Sequence, residues 1–350
     1  MLLGIKKNKK LKMTKTNRPI IIWLFTGALL IFFMVVIGGI TRLTHSGLSM
    51  TEWKLISGSK YPTNEAQWQE KFEQYKKFPE YKEVNNHFTV QDFKKIFFWE
   101  YLHRMIGRLI GVVFIIPFFY FLLRKKLSPS LIKKTLLLLA MGALQGFLGW
   151  YMVKSGLMER PDVSHYRLAL HLFMAFITFA YTFWVMLGLI YPNRNQTVKK
   201  LKTPLYLLLI TVLIQIIYGA FVAGLDAGFI HNHWPKMNNG NWIDDTVTYM
   251  NPWYLNLIEN PSGVQFVHRY LALSILIFVF YIAFKTRKQQ LTVSQSFAIK
   301  LLLFVISLQF TLGVFTLLYH VPVVLGALHQ ITAFFLLATV VYTLHRFTVK

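Results

Sequence analysis

The chain has 350 residues, 55% of them apolar, and a mean hydropathy of +0.44, which is too oily for a soluble domain. Its 31 Phe, 17 Tyr and 9 Trp fit a protein that lives in a bilayer. The formal charge of +24 is carried by Lys and Arg in short clusters between apolar stretches, a topology signal that excludes a nucleic-acid partner; with no Cys there is no disulfide, thiolate ligand or iron–sulfur cluster, so any iron must be held by His.

A basic tail over 1–19 carries Lys6, Lys7, Lys9, Lys10, Lys12, Lys15 and Arg18. Eight apolar stretches follow, over 20–40, 100–123, 133–153, 166–190, 204–224, 264–284, 297–318 and 323–345, each long enough to cross a ~30 Å hydrocarbon core as a helix. Basic clusters recur after every second stretch: Arg124 to Lys134, Arg194 to Lys202, Lys285 to Lys300, then Arg346 and Lys350. By the positive-inside rule these face the cytoplasm, and both termini lie there. The segments 43–99 and 226–262 then face outward, and Trp68, Phe72, Tyr75 and Phe78 in the first recur at helical spacing, predicting an amphipathic cap. Such a cap is either a solvated surface helix or a docking face.

The two halves are diverged copies. Glu100-Tyr-Leu-His103-Arg104 aligns with Gln265-Phe-Val-His268-Arg269, Leu144-Gln145 to Gly149 with Leu308-Gln309 to Gly313, and Leu168-Ala-Leu-His171 with Gly326-Ala-Leu-His329. Gly38 and Gly47 match Gly219 and Gly228. Four spans per half keep both copies in one orientation, a parallel repeat. The expected fold is an all-α integral membrane protein in a lipid bilayer: eight transmembrane helices in two four-helix bundles, 20–192 and 193–350.

A lone membrane His is usually a satisfied polar group, but two pairs in register predict two metal or haem sites, with His103 and His171 in one bundle and His268 and His329 in the other. All four fall toward the outer leaflet. Glu100 shares a helix face with His103, whereas the second half carries the neutral Gln265. A carboxylate at that depth is costly and functional, so the first half is expected to carry chemistry and the second a cofactor. The alternative reading of Glu100 is an ion pair with Arg104 near the membrane interface. Arg42, Arg104, Arg108 and Arg269 are candidate propionate partners or interfacial anchors. The His231-Asn-His233 pair is a weak metal signal.

Gly38-Gly-Ile-Thr-Arg-Leu-Thr-His-Ser-Gly-Leu-Ser-Met-Thr-Glu-Trp53, Glu100-Tyr-Leu-His-Arg-Met-Ile-Gly-Arg108 and Gly219-Ala-Phe-Val-Ala-Gly-Leu-Asp-Ala-Gly228 resemble haem A synthases, and the resemblance runs from about residue 20 to 345. It implies an oxidoreductase that converts a methyl substituent of haem O to the formyl group of haem A, for cytochrome oxidase, by successive hydroxylations and loss of water. It places the family's catalytic glutamate on Glu100, its substrate-haem histidines on His103 and His171, and the axial ligands of a haem b cofactor on His268 and His329. Some bacterial members carry a cysteine pair in the first outer loop; this chain resembles the cysteine-free branch. Haem O synthase and an electron-donor protein are the partners the resemblance brings, and homo-oligomerisation is open. Two other readings stand beside it: a quinol-linked electron-transfer cytochrome with two haem b groups, and a transporter with histidine proton relays.

Overall fold

The computed structural model describes residues 17–53, 60–157, 161–192, 199–238 and 240–347. The basic tail up to residue 16, Arg194 and Lys350 lie outside them. The described residues are helical, with no strand among them. Eight helices are long and apolar enough to cross a membrane: α1 (Arg18–Leu43), α3 (Val90–Leu123), α4 (Pro129–Gly156), α5 (His165–Ile190), α6 (Lys199–Gly224), α7 (Pro261–Thr286), α8 (Val293–Leu318) and α9 (Val323–Phe347). A ninth, α2 (Glu65–Tyr75), is short and amphipathic.

Local sequence sets the starts. Ser128 before Pro129, Asn260 before Pro261 and the Thr292–Gln295 capping box supply side-chain acceptors for amides that begin α4, α7 and α8. The Thr89–Asp92 capping box starts α3 at Val90, ten residues before the predicted 100. The reason is burial. Phe93, Ile96 and Phe97 pack under Trp68, Phe72 and Tyr75 of α2, so the polar-looking first turns of α3 are an apolar platform for a cap. Phe78, predicted as part of that helix, falls in the turn beyond it.

Helix packing runs in sequence. α1 lies on α3, α3 on α4, α4 on α5, and α5 returns to α1; α6, α7, α8 and α9 repeat the circuit, α9 returning to α6. The halves meet through α5 on α6 and through α1 and α5 on α9. The main apolar cluster fills that junction, with Phe176 and Phe179 of α5 against Phe334 of α9, whose ring centre is 3.9 Å from that of Phe179. In lipid such contact helps through van der Waals packing rather than water release.

Candidate functional site

All four paired histidines sit toward one end of the helices, the end bearing the long connections 44–89 and 225–260. Each half-buried imidazole faces a glycine on the preceding spanning helix. A Cβ at Gly38 would lie 3.1 Å from His103 Nε2; at Gly149, Gly219 and Gly313 it would lie 3.1, 3.3 and 2.8 Å from Cε1 of His171, His268 and His329. Those rings fit because glycine has no side chain at the point of closest approach.

Glutamine amides lie against three of the rings. Gln145 Nε2 is 3.2 Å from His171 Nδ1, Gln215 Nε2 is 3.0 Å from His268 Nδ1, and Gln309 Nε2 is 3.2 Å from His329 Nδ1. In the second half the ring centres of His268 and His329 stand 6.5 Å apart at an interplanar angle of 76°. Two imidazole nitrogens each about 2.0–2.1 Å from a shared metal put ring centres roughly 6 to 6.5 Å apart, so this spacing fits a metal held between them. The buried oxygens Oε1 of Gln145, Gln215 and Gln309 have no hydrogen-bond partner. An imidazole pair, a glycine cradle and, beside three of the four rings, an unsatisfied amide oxygen fit the needs of a bis-histidine haem.

Glu100 is only 3% exposed and fully engaged. Ser49 Oγ donates to its carboxylate at 2.7 Å, the Met50 amide at 2.8 Å and Arg104 at 2.5 Å. The alternative of an ion pair with Arg104 is therefore present alongside any chemical role. Arg104 also donates to the carbonyls of Met50 and Glu52 at 2.9 and 2.7 Å, with its guanidinium 4.7 Å from the centre of the Trp53 ring. The second half repeats this brace with an amide in place of the carboxylate. Gln265 donates to the carbonyls of Ala227 and Ile230, and Arg269 to those of His231, His233 and Lys236 and to Gln265 Oε1.

Arg42 donates to the Ala223 carbonyl at 2.7 Å and to Asp226 at 3.0 Å, linking α1 to the end of α6. Arg108 lies one turn beyond Arg104, beside Met105. A cavity of about 210 Å³ opens beside Arg104, lined by Glu52, Trp53, Trp150 and Lys154 among others. A second, of about 460 Å³, is lined by His231, His233 and His320 in the other half. His231 donates to or accepts from Ser262 Oγ at 2.9 Å and lies 3.9 Å from Asp244. Among the described residues no group of three or more His, Asp or Glu side chains gathers there to hold a metal ion.

Sequence reasoning found the four histidines and Glu100 but gave no role to Gln145, Gln215 and Gln309. The signal was present. Glutamine four residues before glycine recurs at Gln145 and Gly149, Gln215 and Gly219, and Gln309 and Gly313, always on the span before a paired histidine.

A family model described as cytochrome oxidase assembly protein (COX15-CtaA) matches residues 21–341. The chain belongs to this family. Similar members include proteins named "Heme A synthase" from Flavobacterium johnsoniae, 56% identical over 95% of this chain and 99% of the relative, and from Flavobacterium psychrophilum, 54% identical over the same shares. A more distant member with that name, from Nitrosospira multiformis, is 44% identical over 94% of this chain and 93% of its own length. The whole eight-span architecture, rather than one module, is thus the family's.

Proposed function

We propose that this chain is a haem A synthase: a multi-pass enzyme of the bacterial inner membrane that takes haem O and yields haem A. The carrying observation is the likeness over nearly the whole chain to relatives bearing that name, joined to a buried carboxylate in one half only. The sequential helix packing supports two four-helix bundles. The basic clusters place the long connections, and so all four histidines, at the outer face.

The first bundle receives haem O between His103 and His171, and the second holds haem b between His268 and His329; haem b, when bound, supplies one-electron transfer. The 6.5 Å spacing of the second pair supports its part of this division. Glu100, held by Ser49, the Met50 amide and Arg104, provides fixed negative charge next to His103. Its carboxylate would stabilise positive charge on the bound substrate or take up a proton from it, the oxidant that removes the electrons coming from outside this chain. Gln265 keeps the matching loop brace in the second half without that capacity. Arg104 and Arg269 brace the loops over their sites.

The test is co-expression with a haem O source, followed by extraction and mass identification of the non-covalent haems. Wild type is expected to yield haem A or its hydroxymethyl precursor. Glu100→Gln keeps the side chain's size but removes its charge and one acceptor oxygen, and is expected to keep haem in both bundles while losing on the order of 10²–10⁴-fold in product formation. Only haem b and unchanged haem O from wild type would refute the synthase reading and favour an electron-transfer cytochrome.

A further inference from the structure

Four spanning helices, α1, α4, α6 and α8, each place a glycine under a paired histidine. In three of them the residue one turn earlier is a glutamine lying on that histidine: Gln145, Gln215 and Gln309. In the fourth, α1, the residue one turn before Gly38 is Met34. A thioether has no N–H to donate and accepts only weakly, so the register that steadies three rings is left without a polar anchor at His103. The ring responds. The atom that His103 turns toward Gly38 is Nε2, whereas the other three turn Cε1 toward their glycines.

We propose that Gln145, Gln215 and Gln309 are positioning residues for three of the four axial imidazoles, and that Met34 leaves His103 as the loosely held fourth. This rests on the assignment of substrate haem to the first bundle and resident haem to the second. In each pair Nδ1 is the ring nitrogen nearer the amide, at 3.0–3.2 Å against 3.3–3.5 Å for Nε2. Nε2 is then the nitrogen left for iron, which leaves Nδ1 carrying the proton and in need of an acceptor. The amide oxygens are among the buried atoms with no partner. Turning each amide end for end puts that oxygen on Nδ1–H. Gln309 gives up nothing by this, while Gln145 and Gln215 release the carbonyl of their own histidine, at 3.1 and 2.9 Å.

The consequence is a difference in exchange. The second bundle holds its haem through two anchored ligands. The first holds haem through anchored His171 and unanchored His103, so substrate enters and product leaves by release of one imidazole. The chemistry of haem O needs a site that lets go; a resident electron carrier needs one that does not.

Full-length protein, purified with both haems, is mixed with excess apomyoglobin and haem loss is followed at the Soret band, with low-spin spectra recorded alongside. Wild type is expected to lose haem in a fast and a slow phase. Met34→Gln should slow the fast phase roughly 10–100-fold and leave the slow one unchanged, and Gln215→Met should quicken the slow phase by a similar factor. Gln215→Glu, a stronger acceptor, should restore slow release and shift the second haem's reduction potential downward. Unchanged phases in both Met34→Gln and Gln215→Met, with normal bis-histidine spectra, would overturn this inference alone. Wild type without two bis-histidine haems would instead overturn the assignment of the bundles on which it rests.

Discussion

Arg104 and Arg269 occupy matching positions, yet one faces a carboxylate and the other an amide, and that changes what each substitution does. Removing one partner of a buried ion pair leaves an uncompensated charge and costs about 3–5 kcal/mol. Arg104→Met is therefore expected to destabilise the protein by about that much in thermal or denaturant unfolding in detergent. In a Glu100→Gln background the loss should be smaller, giving a coupling energy of about 0.5–3 kcal/mol in a double-mutant cycle. A purely additive cycle would mean that the two side chains do not interact in the folded protein. The glycines make a second residue-scale prediction. Gly313→Ala places a Cβ 2.8 Å from the His329 ring, and Gly149→Ala one at 3.1 Å from His171. Each ring is the far end of a side chain and gives way by swinging off its axis. Haem content should fall in the second bundle for the former and in the first for the latter, read from the Soret bands and extracted haems. The histidines and Glu100 were legible because duplication marks them twice and because charge inside a membrane is rare. The glutamines were not, because a neutral amide in an apolar helix costs little and draws no notice without the ring beside it.

The cap formed by α2 and the first turns of α3 is held by polar groups within an aromatic cluster. Glu80, 6% exposed, accepts from Tyr75 Oη at 2.9 Å, and Asn85 donates to the same hydroxyl at 2.8 Å. Burial pushes the Glu80 carboxyl up to about 8, and burial with the adjacent Glu80 carboxylate pushes the Tyr75 phenol well above its ordinary value. The sign follows from linkage. With a folded pKa above the unfolded one, near 4.5, the folded cap binds the extra proton; that stability is complete below 4.5 and is lost as pH rises through 8. The cap is expected to loosen progressively from about pH 5 to 8, seen as a red shift of Trp68 emission, and Glu80→Gln should abolish the trend. The sequence showed the apolar stripe of α2 by its spacing. It hid the first ten residues of α3, since a helix that leaves the membrane to carry a cap has the mixed composition of a loop.

Across the whole molecule, the proposed topology puts the long connections outside and the basic ones inside. Having no native cysteine, the chain accepts single reporters without background. Cysteine at Tyr249, 62% exposed in the 225–260 segment, should react with a membrane-impermeant maleimide on intact spheroplasts, and cysteine at exposed Lys288 only after lysis. The reverse pattern would invert the topology and move all four histidines to the cytoplasmic leaflet. The spans were legible by length and hydropathy and the circuits of packed helices by the repeat. The junction of α1, α5, α6 and α9 was not, because lipid-facing and helix-facing apolar residues read alike in sequence; there Phe179 and Phe334 meet at 3.9 Å while Phe335 beside them stays 49% exposed. The pairing of each ring with the helix before it also bears on how the protein is made. His329, His171 and His268 lie only 20, 26 and 53 residues from the glutamines that touch them. Each pocket closes within a hairpin of consecutive helices, at small loop-closure cost, as soon as the second helix leaves the ribosome's insertion machinery. A newborn chain would thus present its half-sites one after another, three of them already a ring, a glycine and a glutamine from two neighbouring spanning helices.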